Sequence, residues 1–276
     1  MPVNFGNWSA PVNESRSTIP HLKQRHDRVF VEQFIWENDP VSGPDMIAAS
    51  YEFRRHGYQV SENKLPHTLR RFFPTDENPE GLPGPEHRRA AEVMSDRIRS
   101  HFSTITERDL LIIHYKGHAE ETEEVDDAYD LGLKFVSPTF RAIEEECITM
   151  FDAPTKIWMA GLAPCDVLWL LDCPYSDRLC SWSEKRTSLI CAASSSDATE
   201  RSEQRAKPSF SLVLAKILAD NLESDKALNF HGLYDKLCSL YENQQLETRP
   251  VQRSGKSYED ERRPPIRLIA FGSALG

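Results

Sequence analysis

Leu110-Leu-Ile-Ile-His-Tyr-Lys-Gly-His-Ala119 and Val167-Leu-Trp-Leu-Leu-Asp-Cys-Pro-Tyr-Ser-Asp177 decide how this chain is read. Each is an apolar run of strand length that stops at a small or polar cluster. Unbroken apolar runs of this kind belong to strands covered on both faces, as in a parallel sheet. A chemically capable group stands just past the C-terminal end of each: Gly117 and His118 after the first, Asp172 and Cys173 after the second. In open α/β sheets ligands bind at that end of the strands. A His and a Cys delivered there by two strands would form a thiol–imidazole dyad.

Outward from these runs, residues 45–56 have helical spacing and close on Gly57, a helix-end signal. Residues 58–61 read as a short strand, giving a βαβ start. Residues 64–87 hold several Pro and Gly and read as an irregular loop. Residues 87–102 are helical by the spacing of Ala90, Val93, Met94, Ile98 and Phe102. Residues 140–150, 212–222 and 228–246 also read as helices, the last with Leu233, Leu237, Leu240 and Tyr241 on one face. Residues 249–264 read as a charged loop. Residues 1–27 are polar and without periodicity and read as an N-terminal arm, leaving 28–276 as one domain.

The two strand-end clusters resemble those of the caspase and metacaspase clan of cysteine peptidases. There the first strand ends in Tyr-Ser-Gly-His-Gly or a close variant. The second ends in Asp-x-Cys-x-Ser-Gly, with the nucleophile two positions after the Asp. Here Tyr115-Lys116-Gly117-His118-Ala119 matches the first. The second reads Asp172-Cys173-Pro174-Tyr175-Ser176-Asp177, so Pro174 holds the nucleophile position, Cys173 comes one residue early and Asp177 replaces the closing Gly. The chain is most similar to the caspase-like domains common in filamentous-fungal proteins, which often read Leu-Asp-Cys-Cys-Tyr-Ala-Gly. Residues 28–36 resemble the first strand of the family, 188–196 the strand after the nucleophile, 208–218 the helix after that, and 265–271 the last strand. The resemblance covers roughly residues 28–276. It implies a three-layer α/β sandwich with a mostly parallel sheet of about six strands flanked by helices.

Roles follow from the resemblance by position. His118 would be the base, and Gly117 beside it would donate a backbone N–H to the oxyanion. Asp172 would help to bind a basic P1 side chain, and Ser194, Ser195, Ser196 and Asp197 would line the same pocket. Read as plain sequence, Asp172 is equally a cap on the helix or turn that follows, and 194–197 a Ser-rich turn with an N-cap. Pro174 brings neither a thiol nor a backbone N–H. Loss of one oxyanion donor alone costs on the order of 100-fold in rate. Successive side chains of an extended segment point to opposite faces, so Cys173 should face packed helices unless a bulge re-aims it. It is then a packing thiol, with a working nucleophile or a reactive non-catalytic thiol as alternatives. The stretch 175–188, about a dozen residues, suits a short connection rather than a cleavable processing linker.

The expected function is a catalytically inactive caspase-like domain, a pseudoprotease acting as a binding, scaffold or regulatory module for a peptide or protein partner. The alternative is an active cysteine endopeptidase of metacaspase type, preferring a basic P1 residue and using His118 and Cys173. The chain could also be the caspase-like part of a longer protein. A net charge of −10 argues against general nucleic-acid binding, which needs a basic face. No apolar stretch approaches the ~20 residues that cross a bilayer, and the first residues lack the basic and apolar regions of a secretory signal. The six Cys are scattered without a Cys-x-x-Cys pair and read as buried free thiols in a reducing, cytoplasmic setting. No spacing suggests a zinc site, and no metal or cofactor is expected. The acidic run 120–130 reads as a solvated loop, with a calcium site as the alternative.

Overall fold

A computed structural model describes residues 26–66, 90–121, 133–137, 147–149, 164–174, 176, 187–193, 208–224, 228–243, 249–254 and 267–268. Their core is a six-stranded sheet. In chain order its strands are β1 (Val29–Trp36), β2 (Gln59–Leu65), β3 (Leu110–Lys116), β7 (Asp166–Asp172), β8 (Thr187–Ala193) and β10 (Arg249–Ser254). Across the sheet they lie in the order β10-β8-β7-β3-β1-β2. All neighbours are parallel except β10, which runs antiparallel to β8. Parallel strands need crossover connections, and those from β1 to β2 and from β2 to β3 carry helices α1 (Ser42–Arg55) and α2 (Ala90–Ser100). Helices α3 (Phe210–Ser224) and α4 (Phe230–Glu242) follow β8. A small antiparallel sheet is made of β4 (His118–Glu121), β5 (Leu133–Val136) and β6 (Cys147–Thr149).

The period-two alternation of the strands sends side chains to two cores. Phe30, Phe34, Leu111, Ile113, Trp169 and Leu171 pack against Met94 and Ile98 of α2 and against Leu133 and Phe135 of the small sheet. Val29, Val31, Leu110, Ile112, Leu168 and Leu170 pack against Phe53 of α1, Phe210 and Leu214 of α3, and Leu233 and Leu237 of α4. Each large apolar side chain buried this way stabilises the fold by about 1.5–3 kcal/mol. The architecture is thus a three-layer α/β sandwich with a mostly parallel sheet. Every residue of β3 is buried, which explains why its sequence reads as a continuous apolar run.

Local chemistry sets the helix ends. The Asp39 carboxylate accepts from the N–H groups of Val41 and Ser42 and from the Ser42 hydroxyl, so α1 begins three residues before its apolar periodicity does. It ends in a paired closure: Gly57 N–H on the Arg54 carbonyl and Tyr58 N–H on the Phe53 carbonyl, with Gly57 at φ 79°. The Asn229 side chain accepts from Gly232 N–H at 2.7 Å and starts α4.

Three expectations need correction. Residues 249–254 are a strand rather than a charged loop, at the edge of the sheet among the described residues. Edge strands accept Pro and Arg, which hides them from a search for apolar runs. Within the stretch expected to supply the last sheet strand, Arg267–Leu268 (β11) pairs instead with Leu228–Asn229 (β9), apart from the main sheet. Cys147–Thr149, expected in a helix, is the third strand of the small sheet. The N-terminal arm is described only at its end. There His26 is buried with Nε2 2.9 Å from an Asp166 carboxylate oxygen, and Asp27 N–H donates to the Arg108 carbonyl.

Candidate functional site

Strands β3 and β7 are neighbours, with Lys116 paired opposite Asp172. Gly117-His118 and Cys173-Pro174 therefore leave adjacent strands at the same level. The Gly117 N–H donates to the Asp172 carbonyl at 3.2 Å, prolonging the ladder by one bond. That engages the donor which the resemblance assigns to an oxyanion.

Past this bond the chain turns sharply into β4. The Tyr115 hydroxyl accepts from Trp36 Nε1 at 2.9 Å and donates to the His118 carbonyl at 2.7 Å. The Tyr115 ring stacks on Phe135 with centroids 3.8 Å apart. Burial holds this phenol well above its ordinary pKa, so it stays a neutral donor. Gly117 has φ +156°, and a Cβ there would lie 2.8 Å from that fixed hydroxyl. The turn leaves His118 exposed at the edge of the small sheet.

Cys173 continues the face of Val167, Trp169 and Leu171 and is buried in their core, 4 % exposed. Pro174 follows it in a half-buried turn. The alternation that carries Cys173 into one core carries Asp172 to the other side. Ser194, Ser195, Ser196 and Asp197 lie outside the described residues, as does the acidic run beyond Glu121. Among the described residues no group of three or more His, Cys, Asp or Glu side chains is placed to hold a metal ion.

Asp172 is the hub of a polar network. Its Oδ2 accepts from Lys116 Nζ at 3.0 Å and from the Ser211 N–H, in the first turn of α3, at 2.9 Å. Lys116 Nζ also lies 2.9 Å from Asp45 Oδ2 of α1. The Ser209 hydroxyl donates to the same Asp45 oxygen at 2.6 Å and accepts from Leu212 N–H at 3.3 Å. Burial pulls the Lys116 pKa down, but Asp172 and Asp45 more than offset it and the net shift is upward. Below the ammonium, His114 bridges Ser211 Oγ at 3.0 Å and Gln33 Nε2 at 3.1 Å. With the Gln33 amide nitrogen facing Nδ1, His114 carries its proton on Nε2 and donates to Ser211. Burial pushes His114 down to about 4, against a weaker upward pull from Asp172. Ser211, His114 and Gln33 stand in the order nucleophile, base, orienter, but Ser211 and His114 are fully buried and no substrate reaches them.

Asp172 thus caps a helix, though that helix is α3, distant in sequence, rather than an element just after β7. The other network residues were not singled out by sequence reasoning. The available signals were a His inside an apolar strand, a Lys at the end of that strand, and Ser209-Phe210-Ser211 opening a helix. One strand further along, a cleft of ≈ 670 Å³ opens at the ends of β1 and β2 under the start of α1, lined by Ile35, Trp36, Met46, Ile47, Glu62 and Lys64 among others.

No family profile matches the chain, and no curated protein matches it. Among solved structures, the crystal structure of protein GSU0716 from Geobacter sulfurreducens is similar at 10 % identity and a TM-score of 0.45, over 83 % of this chain and 94 % of that one. No helix among the described residues is long and apolar enough to cross a membrane.

Proposed function

We propose that the chain is a caspase-like domain without peptidase activity, a pseudoprotease that acts in the cytoplasm by binding a peptide or protein partner as a scaffold or regulatory module. The observation that carries this reading is the placement of Cys173 in the core, with Pro174 standing where the resemblance puts the nucleophile. An acyl-enzyme needs a thiolate within reach of a base. His118 is exposed and on the adjacent strand end, but the thiol beside it faces away into the α2-side core. Pro174 has no N–H to offer a tetrahedral oxygen. The cleft beside Trp36, part apolar and part charged, offers footing for a bound segment. Among the described residues the thiols of Cys165 and Cys238 are free, which fits a reducing compartment.

The test is a screen of purified protein against fluorogenic peptides ending in Arg or Lys, with and without calcium, alongside a thiol-directed activity probe. The expected result is no turnover and no probe labelling. Turnover that disappears in Cys173→Ala would overturn the proposal and establish a cysteine endopeptidase.

A further inference from the structure

We propose that Lys116 is the resident occupant of an ammonium-binding recess at the strand ends, and that its side chain closes this recess to basic side chains from outside. Three elements build the recess. Asp45 comes from the first turn of α1, Asp172 from the end of β7, and the start of α3 forms the third wall.

Each carboxylate has a second anchor besides the ammonium. Asp45 Oδ2 is held by the Ser209 hydroxyl at 2.6 Å, and Asp172 Oδ2 by the Ser211 N–H at 2.9 Å. With the Lys116 side chain removed, these anchors would hold two like-charged acceptors around one point, an arrangement that an external ammonium would relieve. An ammonium presents three donors around one compact centre, and two of them meet these acceptors at 2.9 and 3.0 Å. The Lys116 stem reaches this point from inside the sheet, with its side chain 9 % exposed, while Asp45 is 24 % exposed and marks the solvent side. An external amine would enter past Asp45 and meet the charge that Lys116 now neutralises. The inference rests on these contacts alone and stands whether or not the protein cleaves peptides.

The experiment uses the whole chain with Lys116→Ala, at low salt, titrated with propylammonium chloride and followed by thermal melting and calorimetry. Propylammonium should raise the melting temperature of the variant saturably, with an affinity at least about tenfold above that for the wild-type protein. Tetramethylammonium, which has no N–H to donate, should not. Adding Asp172→Asn to the variant should abolish the response. Equal responses in wild type and Lys116→Ala, or a folded variant blind to propylammonium, would overturn the proposal. Where Lys116→Ala does not fold unaided, it is refolded from urea with and without propylammonium. Recovery only with the amine supports the recess, and equal yields or no recovery contradict it.

Discussion

His114 offers the sharpest quantitative test of the buried network. It titrates near 4 in the folded protein against 6.5 for a free imidazole. Between those values the unfolded chain binds a proton that the folded protein refuses, so stability falls as pH falls and returns as pH rises. From pH 7 to pH 5 this single imidazole removes about 2 kcal/mol, and by pH 4 about 3 kcal/mol. At pH 4 the folded state is half protonated, and about one pH unit lower both states are protonated and its contribution levels off. Replacing His114→Gln removes the titration while leaving a side chain of similar reach. At pH 7 the variant should be less stable by about 1–2 kcal/mol, because the buried Ser211 hydroxyl and Gln33 amide lose a partner. At pH 5 that gap should have closed. The measurement is the urea midpoint of both proteins across pH 4–7. His56, also lowered by burial, is present in both proteins and cancels in the difference. A gap that stays constant from pH 7 to pH 5 would refute the assignment of His114 as a neutral, desolvated imidazole.

Gly117→Ala should cost about 1–3 kcal/mol, because its Cβ meets the Tyr115 hydroxyl while Trp36 and the His118 carbonyl prevent that hydroxyl from moving. Thermal melts read the loss, and a wild-type melting temperature would show that the turn relaxes freely. In the folded protein iodoacetamide should label neither Cys173 nor Cys165, the latter with its thiol pushed up to about 12 by burial. Peptide mapping checks this, and labelling of Cys173 at the rate of an exposed thiol would contradict its placement. Asn229→Ala should lower stability by about 1 kcal/mol through the loss of the α4 cap, measured by urea unfolding.

The strands that carry the site were legible because burial on both faces leaves an unmistakable apolar run, as in β3 and β7. Alternation along β7 was also enough to place Cys173 on the packed side. The helix ends were readable where one residue type dominates, as with Gly57. What was not legible depends on neighbours distant in sequence. The carboxylate of Asp172 meets an ammonium from β3 and an amide from α3, and nothing near residue 172 announces either. The strand 249–254 was missed because its sequence, Arg-Pro-Val-Gln-Arg-Ser, is mostly polar with a Pro near its start, and has no apolar run to mark it. Cys147–Thr149 was drawn into a helix because three residues are too few to show a period.

The ion cluster around Lys116 also has a kinetic meaning. It joins α1, β3, β7 and α3, and Asp45 and Ser209 alone are 164 residues apart. Contacts of such range form only after the intervening loops have closed, which places them late on the folding route. An interaction absent from the transition state acts on escape from the native state rather than on arrival. Breaking a buried pair of this kind, at about 3 kcal/mol, would speed unfolding roughly 100-fold and leave refolding almost unchanged. The cluster is in that sense a latch: it sets how long the molecule stays folded rather than how fast it folds.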